Sequence, residues 1–104
     1  MADGVKYDEG KPLPGDLITI FNHGIIMISN LIAIGAKKYP EIDNWKRVKD
    51  GKRRYTNALM RHLLQHLSGD EIDKETGLPH IASVAWNALA VLELYLMDRE
   101  KDVK

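Results

Sequence analysis

The stretch that decides the fold is residues 56–97, which reads TNALMRHLLQHL (56–67), SGDEIDKETGLP (68–79) and HIASVAWNALAVLELYLM (80–97). In the first part Ala58, Leu59, Leu63 and Leu67 recur at the spacing of one helical face, and Ser68-Gly69 ends the run. In the third part Ile81, Val84, Ala85, Ala88, Leu89, Leu92 and Tyr95 keep the same period, with Pro79 suited to the first helical position. Two helices joined by an acidic turn are therefore expected. His62 and His66 share a face of the first, and His80, Ser83 and Asn87, at i, i+3 and i+7, share a face of the second. Two polar stripes can then meet inside an apolar hairpin. Burying them is costly unless a metal, a nucleotide or a hydrogen-bond network satisfies them.

Working outward, Ala82, Ala90, Val91, Leu94 and Leu96 lie off the main stripe, so the last helix is apolar over much of its circumference and is either central or shared with another subunit. Homo-oligomerisation is expected on that ground. The charged tail from Asp98 to 104 is expected to fray. Before the hairpin, Lys37 to Arg54 reads as a connecting loop that includes a basic stretch, Lys46 to Arg54, with room for one short helical turn. Asp16 is placed to cap an earlier helix running to about Ile34, closed by Gly35 in a left-handed conformation, with Lys37 and Lys38 near the negative end of the dipole. Ile25, Ile26 and Ile28 would also suit a strand. Residues 1–15, with Gly4, Gly10, Pro12, Pro14 and Gly15, read as an extended arm. The expected architecture is all-α: one domain over 1–104, a small antiparallel helical bundle with an N-terminal arm.

Fifteen basic and fifteen acidic residues cancel. No net field attracts duplex nucleic acid or an anionic membrane, so any phosphate site must be a local cluster. Cysteine is absent, which removes disulfides, thiol nucleophiles and cysteine-ligated zinc. The N-terminus, with Asp3, Lys6, Asp8 and Glu9, lacks a signal-peptide core, and the apolar window Leu17–Ala36 is interrupted by Asn22, His23 and Asn30, so it reads as a buried helix rather than a span. A cytoplasmic location is expected.

The chemistry-bearing residues fall into two groups. His62, His66, Asp73 and His80 offer three imidazoles and a carboxylate, a donor set for a divalent ion such as magnesium, manganese or zinc, with imidazole favouring the softer ions. The same histidines would serve equally as hydrogen-bonded structural residues. Asn87, in the middle of an apolar helix, needs partners for its amide. The second group pairs cations with aromatics: Lys6, Tyr7 and Lys11 in the arm, and Lys37, Lys38, Asn44 and Trp45 before the hairpin. Ammonium groups, rings and amides together are what a nucleotide site needs. No phosphate-loop, dinucleotide or serine-nucleophile motif is present.

KYDEGK (6–11), GAKKY (35–39), NW (44–45), RH (61–62), GDEID (69–73), ETGLPH (75–80) and WNAL (86–89) resemble a largely phage-encoded family commonly described as dATP/dGTP diphosphohydrolase-like, itself similar to MazG-type all-α nucleotide pyrophosphohydrolases. The resemblance implies long antiparallel helices meeting a nucleotide, usually in an oligomer, and, if phage-encoded, a bacterial host cytoplasm. It implies His62, Asp73, His80 and Asn87 as pocket residues, the first three in catalysis, and Lys6, Lys11, Lys37, Lys38, Asn44 and Trp45 as nucleotide contacts. The clustered glutamates that bind magnesium in MazG-type enzymes are missing here, and Ser83 stands where relatives often carry a second histidine. Two activities are therefore expected: removal of pyrophosphate from a deoxypurine triphosphate, or sequestration of a nucleotide, such as a signalling nucleotide, at a subunit interface without turnover.

Overall fold

The computed structural model describes residues 2–103, whose named elements are helices, with no strand among the described residues. The element order is α1 (Pro14–Ile20), α2 (Asn22–Lys38), a 3-10 turn (Asn44–Arg47), α3 (Gly51–Leu67) and α4 (His80–Val103). The principal contact is between α3 and α4, with α2 laid more lightly on α4 and α1 touching α2.

The expected first helix is two helices. They meet at Phe21, where the chain bends by 95°, because Phe21 leaves helical geometry (φ −113, ψ 34). Proline opens α1 and Asp16 lies within its first turn, rather than capping it. Gly35 does not take a left-handed conformation either: α2 runs on to Lys38, and the Tyr39 amide closes it by donating to the Gly35 carbonyl. Lys37 and Lys38 occupy its last turn, where they oppose the helix dipole as expected. No residue of α1 or α2 is buried, so the window Leu17–Ala36 is not a core helix of the single chain.

Helix α3 begins at Gly51, earlier than the apolar pattern indicates. Asp50, in the left-handed region (φ 60), turns the chain into it. The glycine that follows sits close to α4: a Cβ at position 51 would meet Leu94 Cδ1 at 3.3 Å, a tight contact that the leucine would have to yield to. Asp98 pairs with Lys52 across the same contact, and α4 continues as helix to Val103, through residues 98–103 of the tail expected to fray; residue 104 lies outside the described residues.

The enclosed side of α4 is not the predicted apolar stripe. His80, Ala82, Ser83, Asn87 and Ala90 are buried, whereas Ile81, Leu89, Leu92 and Tyr95 are exposed. Among the described residues no large side chain is fully buried. The radius of gyration is 17.4 Å, against about 13 Å for a compact chain of this length. By length and composition alone α4 could cross a membrane, as could α1 and α2 if the bent pair were one span.

Candidate nucleotide and metal site

The turn between α3 and α4 is built to hold one carboxylate. Gly69 (φ 95) and Gly77 (φ 76) take left-handed conformations that other residues adopt only with strain. Between them the Asp73 amide donates to the Leu78 carbonyl at 2.9 Å, Gly77 N to Asp73 O at 2.7 Å, and His80 N to Glu71 O at 2.8 Å. The Asp73 side chain accepts from the Glu75 amide at 3.0 Å and from Thr76 Oγ1 at 3.5 Å. Thr76 Oγ1 in turn accepts from Leu78 N at 3.1 Å. Asp73 therefore caps its own loop, rather than α4, and its carboxylate is fixed beside the first residue of α4.

There it meets two imidazoles. His62 Nδ1 and His80 Nδ1 lie 2.8 Å apart, with rings tilted at 43°. His80 is buried, and its Nε2 stands 3.8 Å from Asp70 Oδ2 at the rim. Burial lowers the His62 pKa below the ordinary histidine value, with Asp73 opposing the shift and His80 adding to it. Ligand atoms of His62, Asp73 and His80 all lie within 4.8 Å of one another, so these three form a group able to hold a metal ion. Two imidazoles and one carboxylate suit a borderline ion such as zinc or manganese; magnesium prefers an all-oxygen shell. His66, one turn beyond His62, is not part of this group. Its Nδ1 is enclosed, without a hydrogen-bond partner among the described residues.

A cleft of about 1030 Å³ is lined by Arg61, next to His62 in the chain, and by Ser83, one turn after His80, whereas His62, Asp73 and His80 are themselves outside its lining. Its floor continues the polar face of α4, Ser83, Trp86 and Asn87, with Ala90 beyond; Asn87 Nδ2 donates to the Ser83 carbonyl at 2.7 Å. One wall is α3, through Arg54, Asn57, Ala58 and Arg61. The 3-10 turn supplies Asn44 and Trp45, and the end of α2 supplies Leu31, Gly35 and Tyr39. Trp45, Tyr55 and Trp86 form an edge-to-face trio with centroids 5.6–6.0 Å apart. Tyr55 Oη donates to the Trp45 carbonyl at 2.7 Å, which ties the 3-10 turn to α3.

Of the residues singled out from the sequence, Asn44, Trp45 and Asn87 line this cleft. Lys38 sits over the Tyr39 ring at 5.4 Å and reaches Glu75 at 3.9 Å, so it stands beside the Asp73 loop. Lys37 is exposed at the end of α2, and Lys6, Tyr7 and Lys11 are exposed in the arm, outside the cleft lining. Tyr55, Arg54 and Asn57 were missed. Only Arg54 carried a signal in the sequence: it lies seven residues, two helical turns, before Arg61, which puts two cations on one face of α3.

The family described as dATP/dGTP diphosphohydrolase, N-terminal, matches residues 1–104. The chain belongs to this family. A protein of Salmonella phage PMBT28 named dATP/dGTP diphosphohydrolase is 34% identical over 82 residues, which cover 79% of this chain and 26% of the phage protein. The matched part of this chain thus corresponds to about a quarter of that relative. No solved structure matches. In this family member the half-buried His62, the buried His80 and the loop-bound Asp73 sit on and between α3 and α4, whose other residues wall an aromatic and cationic cleft.

Proposed function

We propose that this chain binds a deoxypurine nucleoside triphosphate in the cleft and hydrolyses it to the monophosphate and pyrophosphate. The observation that carries the reading is the cluster of His62, Asp73 and His80 on and between the two helices, α3 and α4, that also wall a cleft containing aromatic rings. Family membership and the name of the phage relative support the substrate class.

The base would lie against Trp86 and Trp45, where a π-face is recognised by stacking. Asn57 and Asn87 would supply amide contacts. Phosphates would extend toward Arg61 and Lys38, which offset their charge. His62, Asp73 and His80 would hold a divalent ion, which when bound neutralises phosphate oxygens and acidifies water. The chain's own part in hydrolysis is to orient water for attack on the α-phosphorus and to accept its proton on Asp73, while the α–β phosphate bond breaks and pyrophosphate leaves.

A second reading has one observation in its favour: the site offers a single carboxylate where a magnesium-dependent pyrophosphohydrolase uses several. A binder that sequesters a nucleotide without turnover needs only the cleft. Incubation of the protein at stoichiometric concentration with a nucleotide panel and magnesium, manganese or zinc separates the two. A monophosphate among the products supports hydrolysis; depletion of one free nucleotide without product supports sequestration. No change in either overturns both.

A further inference from the structure

Ser83 and Asn87, one turn apart on α4, line the cleft and are only 7% and 6% exposed. An asparagine amide has two donor hydrogens and a two-lone-pair acceptor to satisfy. That of Asn87 makes one hydrogen bond, from Nδ2 to the Ser83 carbonyl at 2.7 Å, and among the described residues neither its Oδ1 nor the Ser83 hydroxyl has a partner. Enclosed polar atoms left in that state are costly unless a ligand or water meets them.

The one hydrogen bond also decides which way the amide stands. Its oxygen and nitrogen ends are alike in shape, and an amide without neighbours turns over to suit whatever it meets. Here the Ser83 carbonyl can only accept, so Oδ1 cannot take the place of Nδ2 against it. Asn87 therefore keeps a fixed order of acceptor and donor: Oδ1, then the second Nδ2 hydrogen. Trp86, adjacent in the chain, lines the same cleft, so one turn of α4 supplies both a stacking ring and this amide.

We propose that Asn87, held in one orientation by the Ser83 carbonyl, is the base-selecting residue and restricts the cleft to 6-amino purines. This selectivity presupposes the purine nucleotide site proposed above and narrows it, since the name of the phage relative spans both dATP and dGTP. Adenine offers a donor, N6, beside an acceptor, N7, which an amide pairs in both directions. Guanine offers O6 beside N7, two acceptors, and sets O6 against Oδ1. The N1 side of guanine does carry a donor next to O6, but in the reverse order to adenine. An amide free to turn over would meet either base; a fixed one meets one of them.

Calorimetric binding to the full chain, with manganese present, of the α,β-methylene triphosphates of deoxyadenosine, deoxyguanosine, deoxyinosine and unsubstituted purine deoxyriboside tests the assignment without turnover. The adenine analogue should bind about ten-fold or more tighter than the two 6-oxo analogues. Unsubstituted purine should fall between them, because it loses the donor but brings no opposing oxygen. In Asn87→Leu the adenine and guanine affinities should converge, whereas Ser83→Ala keeps the backbone carbonyl and should keep the ratio. The ligand series on the unmodified chain stands whether or not the variants fold. Guanine bound as tightly as adenine, or an undiminished ratio in a folded Asn87→Leu, would overturn the proposal and leave the nucleotide site standing. Failure of all four analogues to bind would overturn that site and the selectivity with it.

Discussion

His62 and His80, on different helices, face each other through their Nδ1 atoms at 2.8 Å. Two nitrogens at that distance share one proton: one ring donates and the other accepts, so at least one of the pair is neutral. Protonating both would set two cations face to face inside the α3–α4 contact.

This pairing makes stability depend on pH in a definite sense. Burial holds the His62 pKa below its unfolded value, so the folded state resists the proton that the unfolded state accepts. The contribution is fully present above the unfolded pKa of about 6.5 and is lost as pH falls through the lower folded value. Thermal unfolding should therefore show a lower midpoint at pH 5 than at pH 7.5. In His62→Phe that difference should shrink, and an identical pH profile in the two proteins would refute the assignment.

A metal ion and the shared proton compete for the same lone pairs. Zinc or manganese should raise the unfolding midpoint at pH 7.5 and much less at pH 5.5, because ligand imidazoles must be deprotonated. Magnesium should have a smaller effect. Titration calorimetry on His80→Ala should show the affinity gone; unchanged binding there would place the ion elsewhere.

Asp73 has a structural duty and a chemical one, and two substitutions separate them. Asp73→Ala removes the acceptor for Glu75 N and Thr76 Oγ1 and should cost about 1–2 kcal/mol. Asp73→Asn keeps an acceptor oxygen in the loop but discards the charge. Its denaturation midpoint should stay near that of the unmodified chain while metal affinity and any turnover fall by about ten-fold or more. Full turnover in Asp73→Asn would remove the carboxylate from the chemistry.

His66 offers the opposite contrast. Its enclosed Nδ1 has no partner among the described residues, and an unsatisfied buried polar atom is a standing cost that an apolar side chain of similar reach avoids. His66→Leu is expected to unfold at the same temperature or higher, with metal binding unchanged. A clear loss of metal affinity would instead return His66 to the ligand set.

The two main helices and the turn between them were legible because their pattern is local. The 3.6 period runs through Leu59, Leu63 and Leu67, and Gly69 and Gly77 mark backbone that only glycine takes without strain. The orientation of α4 was legible from its polar stripe: His80, Ser83 and Asn87, expected to meet the α3 stripe inside the hairpin, are enclosed, while Ile81, Leu89 and Leu92 of its longest apolar stripe are exposed, because not every apolar residue serves the chain's own core. The bend at Phe21 escaped, since no glycine or proline announces it. The aromatic trio escaped too: Trp45, Tyr55 and Trp86 are far apart in sequence, and only packing brings them to one cleft. His62, Asp73 and His80 were singled out together because the acidic turn is short enough for sequence proximity to imply spatial proximity.

The polar inner face of α4 has a consequence for how this chain tolerates change. Ser83 and Asn87 occupy positions where aliphatic side chains would ordinarily give a small helical protein its robustness. A laboratory selection for heat resistance alone should therefore be drawn to these two positions, replacing them with alanine or leucine, and should yield hardier proteins with a dry, ligand-blind cleft. Selection that also demands nucleotide capture should leave them untouched and find its gains on the outer turns of the helices. Where adaptive substitutions settle would thus separate what the fold requires from what the ligand requires.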